Sequence, residues 1–399
     1  MCVCKSVRYG FLALLIFFVS CGTEREEIKT VRNEVERIQE KFAPDGRTAL
    51  FAIWVKESAK GLILGGESTL PEAVAELRKN LKGLPISYTD SVQVLPSAEL
   101  EGRKQGVITL SVANLRSTPA HSAELVTQAI LGTPVKIYKK QGDWWYIQTP
   151  DKYLAWVDGA GLFPMEASRY DQWASAKKVI YTNTTGYSHI LPDPSSQSVT
   201  DLVAGGVLEL LEGDENFYKV GYPDGRVAYV AKSESQVFSE WLERLDISGT
   251  NLVTTSKKLM GLPYLWGGTS TKGVDCSGFT KTVYFLNGTV IPRDASQQIS
   301  TGSMIDSIGD FKDLRAGDLL FFGRKATDST KERVIHVGMW IGNNEFIHSA
   351  GDVHISSMDK EALNYDAFNH KRYLRTKRII KEDDPDLIDL TTVPVFGGK

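Results

Sequence analysis

The stretch GLPYLWGGTSTKGVDCSGF, residues 261–279, decides how this chain is interpreted. Its glycines make a permissive loop, and a helix is predicted to begin directly after Asp275. Asp275 then stands at the N-cap, and Cys276 lies in the first turn. There, unpaired backbone N–H groups and the helix dipole favour a thiolate, and such sites lower a cysteine pKa from about 8.5 to roughly 3.5–7.5. The alternative is a small apolar residue buried in a core helix.

Two histidines follow on predicted neighbouring strands, His336 in VIHVGMWIG and His348 in EFIHSAG. A two-residue turn pairs residue 342 with 345 and puts the histidines on opposite faces, whereas a three-residue turn pairs 341 with 345 and puts them on one face. A catalytic interpretation therefore requires an odd-length turn or a bulge. With either, His336 would be the base for Cys276, and His348 would orient it.

One cysteine and two histidines could also bind zinc. The chain lacks the Cys-x-x-Cys and His-x-x-x-His spacings of zinc sites, so we predict no metal and no organic cofactor. Its 399 residues carry a formal net charge of −3, which argues against nucleic acid as a partner. A hydrophobic content of 42% is typical of a globular protein and excludes a polytopic membrane protein.

The amino terminus resembles a bacterial lipoprotein signal. Lys5 and Arg8 precede the apolar run FLALLIFFVS, residues 11–20, which suits a signal-peptide core but is too short to span a bilayer. Cys21 follows directly, and the resemblance implies that it is lipidated and anchors an exported protein to a membrane on the periplasmic or cell-surface side. The alternative is an ordinary cleaved signal with an incidental cysteine.

An internal repeat occupies the middle of the chain. WYIQTPDKYLAWV (145–157) aligns without gaps to YKVGYPDGRVAYV (218–230), and short β-rich runs separated by Pro-Asp turns predict two small β-barrels. The first copy, from NLRS (114–117) to AWV (155–157), resembles bacterial SH3-like domains.

The last domain resembles the NlpC and p-sixty family of cell-wall cysteine peptidases. The blocks that carry the resemblance occur in the family's order: PYLWGG…DCSGF, IPRDASQQ (291–298), LRAGDLLFF (314–322), HVGMWIG (336–342) and FIHSAG (346–351). The resemblance implies that Cys276 is the nucleophile, His336 the general base and His348 the orienting residue. It also places Tyr264 at the oxyanion site, where the alternative is a loop aromatic that packs on Trp266.

We therefore expect an α+β protein in which a papain-like cysteine peptidase domain follows two SH3-like β-barrels and a small α/β domain. The predicted segments are a lipoprotein signal peptide (1–20), a linker or exposed helix (21–45), the small α/β domain (46–105), the SH3-like domains (107–165 and 168–240), the peptidase domain (245–380) and a solvated tail (381–399).

This architecture resembles the γ-D-glutamyl-L-diamino-acid endopeptidases, which act on murein peptides with a free N-terminal L-Ala. The resemblance implies that Glu124 and Tyr153 bind the free amine, as suits a carboxylate and an aromatic face. It also implies substrate contacts at Asp275, Ser277 and Ser296. The alternatives are surface charge and barrel packing for Glu124 and Tyr153, a helix cap for Asp275 and a polar loop residue at Ser296.

Two other functions stay open at this point. One is a murein-binding lipoprotein with little catalysis, and the other is an amidase or acyltransferase on the same fold. We expect a monomer in each case.

Overall fold

The computed structural model describes residues 25–59 and 61–397. The predicted signal peptide and Cys21 lie outside these residues, so their lipoprotein interpretation stays a prediction. Within the described ranges, no helix combines the length and the apolar character needed to cross a bilayer.

The amino-terminal part is a small sheet covered by two helices. Its elements are α1 (Glu26–Phe42), β1 (Phe51–Ser58), β2 (Gly61–Ser68), α2 (Pro71–Lys82) and β3 (Tyr88–Val94). Strand β2 pairs antiparallel with β1 and parallel with β3. The predicted helix is present, but it is not an exposed linker. Its apolar stripe (Ile28, Val31, Val35 and Ile38) is buried against α2 and the sheet.

Two seven-stranded antiparallel sheets follow, with the strand orders β10-β4-β7-β8-β9-β5-β6 and β13-β12-β16-β15-β14-β11-β17. The first consists of β4 (Gln105–Ile108), β5 (Val112–Arg116), β6 (Leu125–Ile130), β7 (Pro134–Gln141), β8 (Trp144–Gln148), β9 (Leu154–Asp158) and β10 (Leu162–Met165). After α3 (Ala167–Ser175), the second consists of β11 (Lys178–Tyr181), β12 (Thr185–His189), β13 (Ser198–Val203), β14 (Val207–Gly213), β15 (Phe217–Gly221), β16 (Val227–Ala231) and β17 (Ser235–Val237).

The sequence repeat falls on equivalent hairpins, β8–β9 in the first sheet and β15–β16 in the second. The prediction of closed barrels is not borne out among the described residues. The end strands of each sheet, β10 and β6 in the first and β13 and β17 in the second, do not pair with each other. Each sheet has its own buried core and keeps two edge strands.

The carboxy-terminal domain carries a six-stranded antiparallel sheet in the order β21-β26-β22-β23-β24-β25. Its elements, after α4 (Phe238–Glu243), are α5 (Gly249–Lys258), β18 (Thr269–Ser270), β19 (Gly273–Val274), α6 (Cys276–Phe285), β20 (Thr289–Val290), α7 (Ala295–Gln298), β21 (Ser303–Asp306), β22 (Leu319–Arg324), β23 (Arg333–Gly342), β24 (Glu345–Ala350), β25 (Asp352–Ser357), α8 (Ala367–Lys371), β26 (Tyr373–Arg378) and β27 (Ile388–Asp389). Phe279 and Val283 of α6 share one buried core with Val337 and Met339 of β23, so the start of α6 faces the sheet.

The final segment is not the solvated tail that its charge suggested. Strand β27 pairs with β20, and Leu390 and Phe396 are each only 3% exposed. They pack with Phe238 and Val290 in a cluster that also contains residues of the second SH3-like sheet. The sequence did not indicate this packing, because the acidic run before β27 suggested a solvated tail and only a few apolar residues follow it.

Candidate active site

Cys276 is the first residue of α6, as the sequence predicts. Asp275 is the N-cap, and its Oδ1 accepts a hydrogen bond of 2.7 Å from the Gly278 N–H. Its Oδ2 accepts a second bond, of 2.9 Å, from the Gly267 N–H. Gly267 has a φ of +78°, and a Cβ there would lie 2.3 Å from the Leu125 carbonyl oxygen. A glycine is therefore required where this loop meets the first SH3-like sheet.

The two histidines lie on one face of the sheet, and a bulge brings them there. Of the two alternatives that the sequence left open, an odd-length turn or a bulge, the structure has the bulge. The turn itself is the two-residue Asn343-Asn344 type, with both residues at positive φ. The ladder then shifts between Trp340 and Gly342, so that β23 carries one extra residue. The shift restores the shared face, and His336 Nε2 lies 2.7 Å from His348 Nδ1.

A third residue extends this pair. The Nε2 of His348 lies 3.0 Å from the Oγ of Ser356 on β25. Sequence reasoning missed Ser356, although pairing β24 with β25 makes it a diagonal neighbour of His348. All three side chains are buried, and His348 is only 1% exposed.

A cleft of about 730 Å³ gathers most of the predicted site residues. It is lined by Cys276, His336, Tyr264, Glu124, Tyr153, Asp275, Ser277 and Ser296, together with residues that the sequence did not single out. His348 stands behind His336 and does not line the cleft. The cleft therefore lies between two side chains of the first SH3-like domain, Glu124 and Tyr153, and the start of α6 and β23.

Burial is the largest influence on the pKa values of Cys276 and His336. Burial raises the pKa of Cys276 to about 11, the nearby Asp275 carboxylate adds to the rise, and the backbone N–H groups of Val337 and Ser277 offset only part of it. Burial also lowers the pKa of His336 well below its ordinary value, and that of His348 to about 3. The expected lowering of the Cys276 pKa by the helix terminus is thus outweighed. The direction of these pKa shifts favours a neutral thiol and neutral imidazoles in the free protein.

Known proteins resemble this chain in two of its regions. The model of the NlpC/P60 family matches residues 261–372, and that of the bacterial SH3 domain matches residues 111–162. A gamma-D-glutamyl-L-lysine dipeptidyl-peptidase of Bacillus cereus is 34% identical over 238 residues, which cover 57% of this chain and 67% of that protein. The chain belongs to the NlpC/P60 family. It is a cysteine peptidase of that family.

Other relatives extend the likeness. Dipeptidyl-peptidase 6 of Lysinibacillus sphaericus is 28% identical and covers 64% of this chain and 92% of its own length. The crystal structure of an NlpC/P60 protein from Bacillus cereus covers 69% of this chain and 99% of its own, with a TM-score of 0.59 and 27% identity. An NlpC/P60 endopeptidase from Photobacterium damselae covers 92% of this chain and 84% of its own, with a TM-score of 0.52. At 15% identity, that last likeness is one of fold alone.

Hydrogen bonds across the cleft connect residues of the NlpC/P60 domain with residues of the SH3-like domain. Glu124 Oε1 accepts a bond of 2.9 Å from Trp266 Nε1, and the Tyr153 hydroxyl donates to Asp294 Oδ2 at 3.3 Å. Burial raises the pKa of Tyr264 to about 12, so its hydroxyl stays protonated at neutral pH and can donate. Glu124 and Tyr153 therefore occupy the same cleft as Tyr264, although they come from different domains.

Two arginines of the site escaped sequence reasoning. Arg293, within the IPRDASQQ block, is 1% exposed, pairs with both oxygens of Asp275 and donates to Ser277 Oγ at 2.9 Å. Asp275 therefore serves both as a helix cap and as the counter-ion of a buried guanidinium. Arg47, from the amino-terminal domain, donates to Ser296 Oγ at 2.9 Å. Sequence reasoning could not find Arg47, because an isolated arginine in a loop carries no motif.

Proposed function

We propose that this NlpC/P60 protein is a cysteine endopeptidase that hydrolyses the bond between γ-D-glutamate and a diamino acid in murein peptides with a free N-terminal L-Ala. The observation that carries the proposal is that Glu124 and Tyr153 of the first SH3-like domain line the same cleft as Cys276 and His336. The activity named for the relatives from Bacillus cereus and Lysinibacillus sphaericus supports the same conclusion.

The proton positions follow from the hydrogen bonds. For His336 to accept the thiol proton, its Nδ1 must carry the free lone pair, so its own proton sits on Nε2 and is donated to His348 Nδ1. His348 must then carry its proton on Nε2, from which it donates to Ser356 Oγ. Ser356 thereby favours the tautomer of His348 that leaves His336 ready to act as a base.

Catalysis then proceeds by acyl transfer. The Cys276 sulfur attacks the γ-carbonyl carbon while His336 takes the thiol proton. The imidazolium and the oxyanion therefore form only as the sulfur–carbon bond forms. The oxyanion is held by the Tyr264 hydroxyl and the backbone N–H of Cys276. His336 returns the proton to the leaving amine, which leaves a thioester on Cys276. Water, deprotonated by His336, attacks the thioester and releases the γ-D-glutamyl carboxylate and the thiol.

The free amine of the substrate has a counter-charge at one end of this cleft. Glu124 offers a carboxylate whose position is held by the Trp266 indole, and Tyr153 adds an aromatic face. An acetylated amine loses its charge, so it forfeits the ion pair and leaves Glu124 without a cation. Selectivity for a free N-terminus follows from that loss.

Mass spectrometry of hydrolysis tests the proposal. L-Ala-γ-D-Glu-meso-diaminopimelate and its L-Lys counterpart are offered with the amine free or acetylated, to the wild type, Cys276→Ala and Glu124→Gln. We expect cleavage of the free forms only, none by Cys276→Ala, and a rise in KM of about tenfold or more for Glu124→Gln, worth at least about 1.4 kcal/mol. Glu101→Gln, an exposed acid outside the cleft, is the matched control.

Three other outcomes would redirect the interpretation. Equal cleavage of free and acetylated peptides keeps the peptidase and removes the amine-binding role of Glu124 and Tyr153. Cleavage of an acyl lipid or a simple amide instead supports an amidase or acyltransferase. Binding of murein peptides without cleavage supports a binding protein.

We also propose export and lipid anchoring through Cys21. Metabolic labelling with a radioactive fatty acid should mark the wild type and not Cys21→Ser. Label on both proteins, or on neither, contradicts the anchor.

A further inference from the structure

The segment around residues 45–48 ties the amino-terminal domain to the end of the cleft. The carbonyl oxygen of Arg47 accepts a bond of 2.7 Å from the Leu154 N–H, and that of Thr48 accepts one of 2.9 Å from Gln148 Nε2. On the other side, Gln297 Nε2 donates to Asp45 Oδ2 at 2.8 Å. The segment is thus held between the first SH3-like domain and the peptidase domain.

The Arg47 guanidinium is fixed by three partners. Its Nε and Nη2 each donate to Asp45 at 2.8 Å, in the paired geometry that holds a guanidinium in one plane. Its Nη1 donates to Asp294 Oδ2 at 2.7 Å and to Ser296 Oγ at 2.9 Å. With about a third of the side chain exposed, the head group reaches across the gap between two domains and cannot easily swing away.

Arg47 and Ser296 separate two cavities. The cleft of about 730 Å³ lies on one side, and a second cavity of about 340 Å³ lies on the other, and both are lined by Arg47, Ser296 and Ser300. The second cavity is also lined by Lys152 and Asp386, whose side chains are more than half exposed. It therefore opens to solvent, and the contact of 2.9 Å between Arg47 and Ser296 is part of the wall between it and the cleft.

This wall stands beside the amine-binding residues. Tyr153 and Arg47 donate to the same oxygen, Asp294 Oδ2. A substrate whose amino terminus lies against Tyr153 therefore ends next to the guanidinium. On this side of the cleft, a residue added before that terminus would meet the Arg47 guanidinium.

We propose that Arg47 is a specificity-determining residue that closes the cleft beyond the substrate's amino terminus and so limits cleavage to peptides with two residues before the scissile bond. The inference rests on the proposed function, and it assigns the amino-terminal domain a role in substrate selection. The selection is one of length, and it acts beside the charge selection of Glu124. An extended peptide that keeps a free amine separates the two.

The test compares L-Ala-γ-D-Glu-L-Lys with Gly-L-Ala-γ-D-Glu-L-Lys in the wild type, Arg47→Ala and Arg78→Ala. Arg78 is the matched control, because it is an arginine of the same domain, similarly exposed and paired with Asp90, that does not line either cavity. We expect the ratio of kcat/KM for the longer over the shorter peptide to rise at least tenfold in Arg47→Ala and to stay within twofold of wild type in Arg78→Ala. Thermal unfolding shows whether each variant is folded.

The outcomes separate this proposal from the proposed function. An unchanged ratio in folded Arg47→Ala, or equal cleavage of both peptides by the wild type, overturns the role of Arg47 while the peptidase stands. If the wild type cleaves neither peptide, nor the meso-diaminopimelate counterpart of the shorter one, the proposed function fails. A crystal structure of Arg47→Ala tests whether Arg47 separates the two cavities. Cavities that have joined support the proposal, and cavities still separated by neighbouring side chains overturn it.

Discussion

His336 and His348 lie on adjacent strands with Nε2 and Nδ1 2.7 Å apart, and a single extra residue in β23 puts them there. Without the bulge, the two-residue turn would send the two rings to opposite faces of the sheet. The contact between the two imidazoles therefore depends on an irregularity in the ladder beside the Asn343-Asn344 turn.

The first prediction concerns the charge state of Cys276 in the free protein. Because burial raises its pKa to about 11, only a small thiolate fraction exists at neutral pH. We expect the rate of inactivation by iodoacetamide to climb about tenfold per pH unit between about pH 7 and 10, since the thiolate is the reactive form. A rate that is flat from pH 5 to 8 would instead indicate a thiolate–imidazolium pair. Cys276→Ala controls for reaction elsewhere.

The second prediction concerns Ser356. Ser356→Ala removes the acceptor that holds His348 in the tautomer required by His336, at a cost of about 1 kcal/mol for one hydrogen bond. We expect kcat to fall about five- to tenfold with KM unchanged, because the contact acts on the base and not on substrate binding. Ser357→Ala is the matched control, since Ser357 is also buried on β25 but donates to the Asn344 carbonyl. An equal loss in both variants would indicate a general packing defect.

The third prediction concerns the buried ion pair between Asp151 and Lys281, which joins the first SH3-like domain to α6 at 2.5 Å. Asp151→Asn leaves the Lys281 ammonium buried without a counter-charge, which costs about 3–5 kcal/mol of unfolding free energy. Urea unfolding measures the loss. The double variant Asp151→Leu with Lys281→Met removes both charges and should recover most of it. A double variant no more stable than Asp151→Asn would show that the pair stabilises the interface beyond cancelling its own charge.

The fourth prediction concerns the final segment. Phe396 is buried against Phe238 and Phe285, so Phe396→Ala should lower the unfolding free energy by about 3–5 kcal/mol. Val393→Ala, on the same segment but 46% exposed, should change it by less than about 0.5 kcal/mol. Denaturant unfolding of both variants checks this, and equal stability of the two would mean that the segment does not hold the domains together.

Several features were predictable because they depend on neighbours along the chain. The cap at Asp275, the start of α6 at Cys276 and the amphipathic stripe of α1 follow from short-range spacing and backbone chemistry. The repeated hairpins were visible as a direct alignment of two segments. Motif order in the last domain was enough to bring Cys276 and His336 to one cleft.

Other features depend on which distant segments meet. Arg47 reaches Asp294 across 247 residues of sequence, and no local pattern indicates that encounter. Ser356 acquires its partner only when β25 pairs with β24, and the buried Leu390 and Phe396 acquire theirs only when three segments enclose them.

The sequence by itself determined the nucleophile candidate, the base candidate and the family resemblance, because these lie in short motifs whose local backbone is set by adjacent residues. Only the tertiary structure decided the direction of the pKa shifts at Cys276 and His336, the bulge that aligns the histidines and the arginine that ends the cleft. Desolvation depends on everything packed around a group, and a wall between two cavities exists only once three domains are in contact.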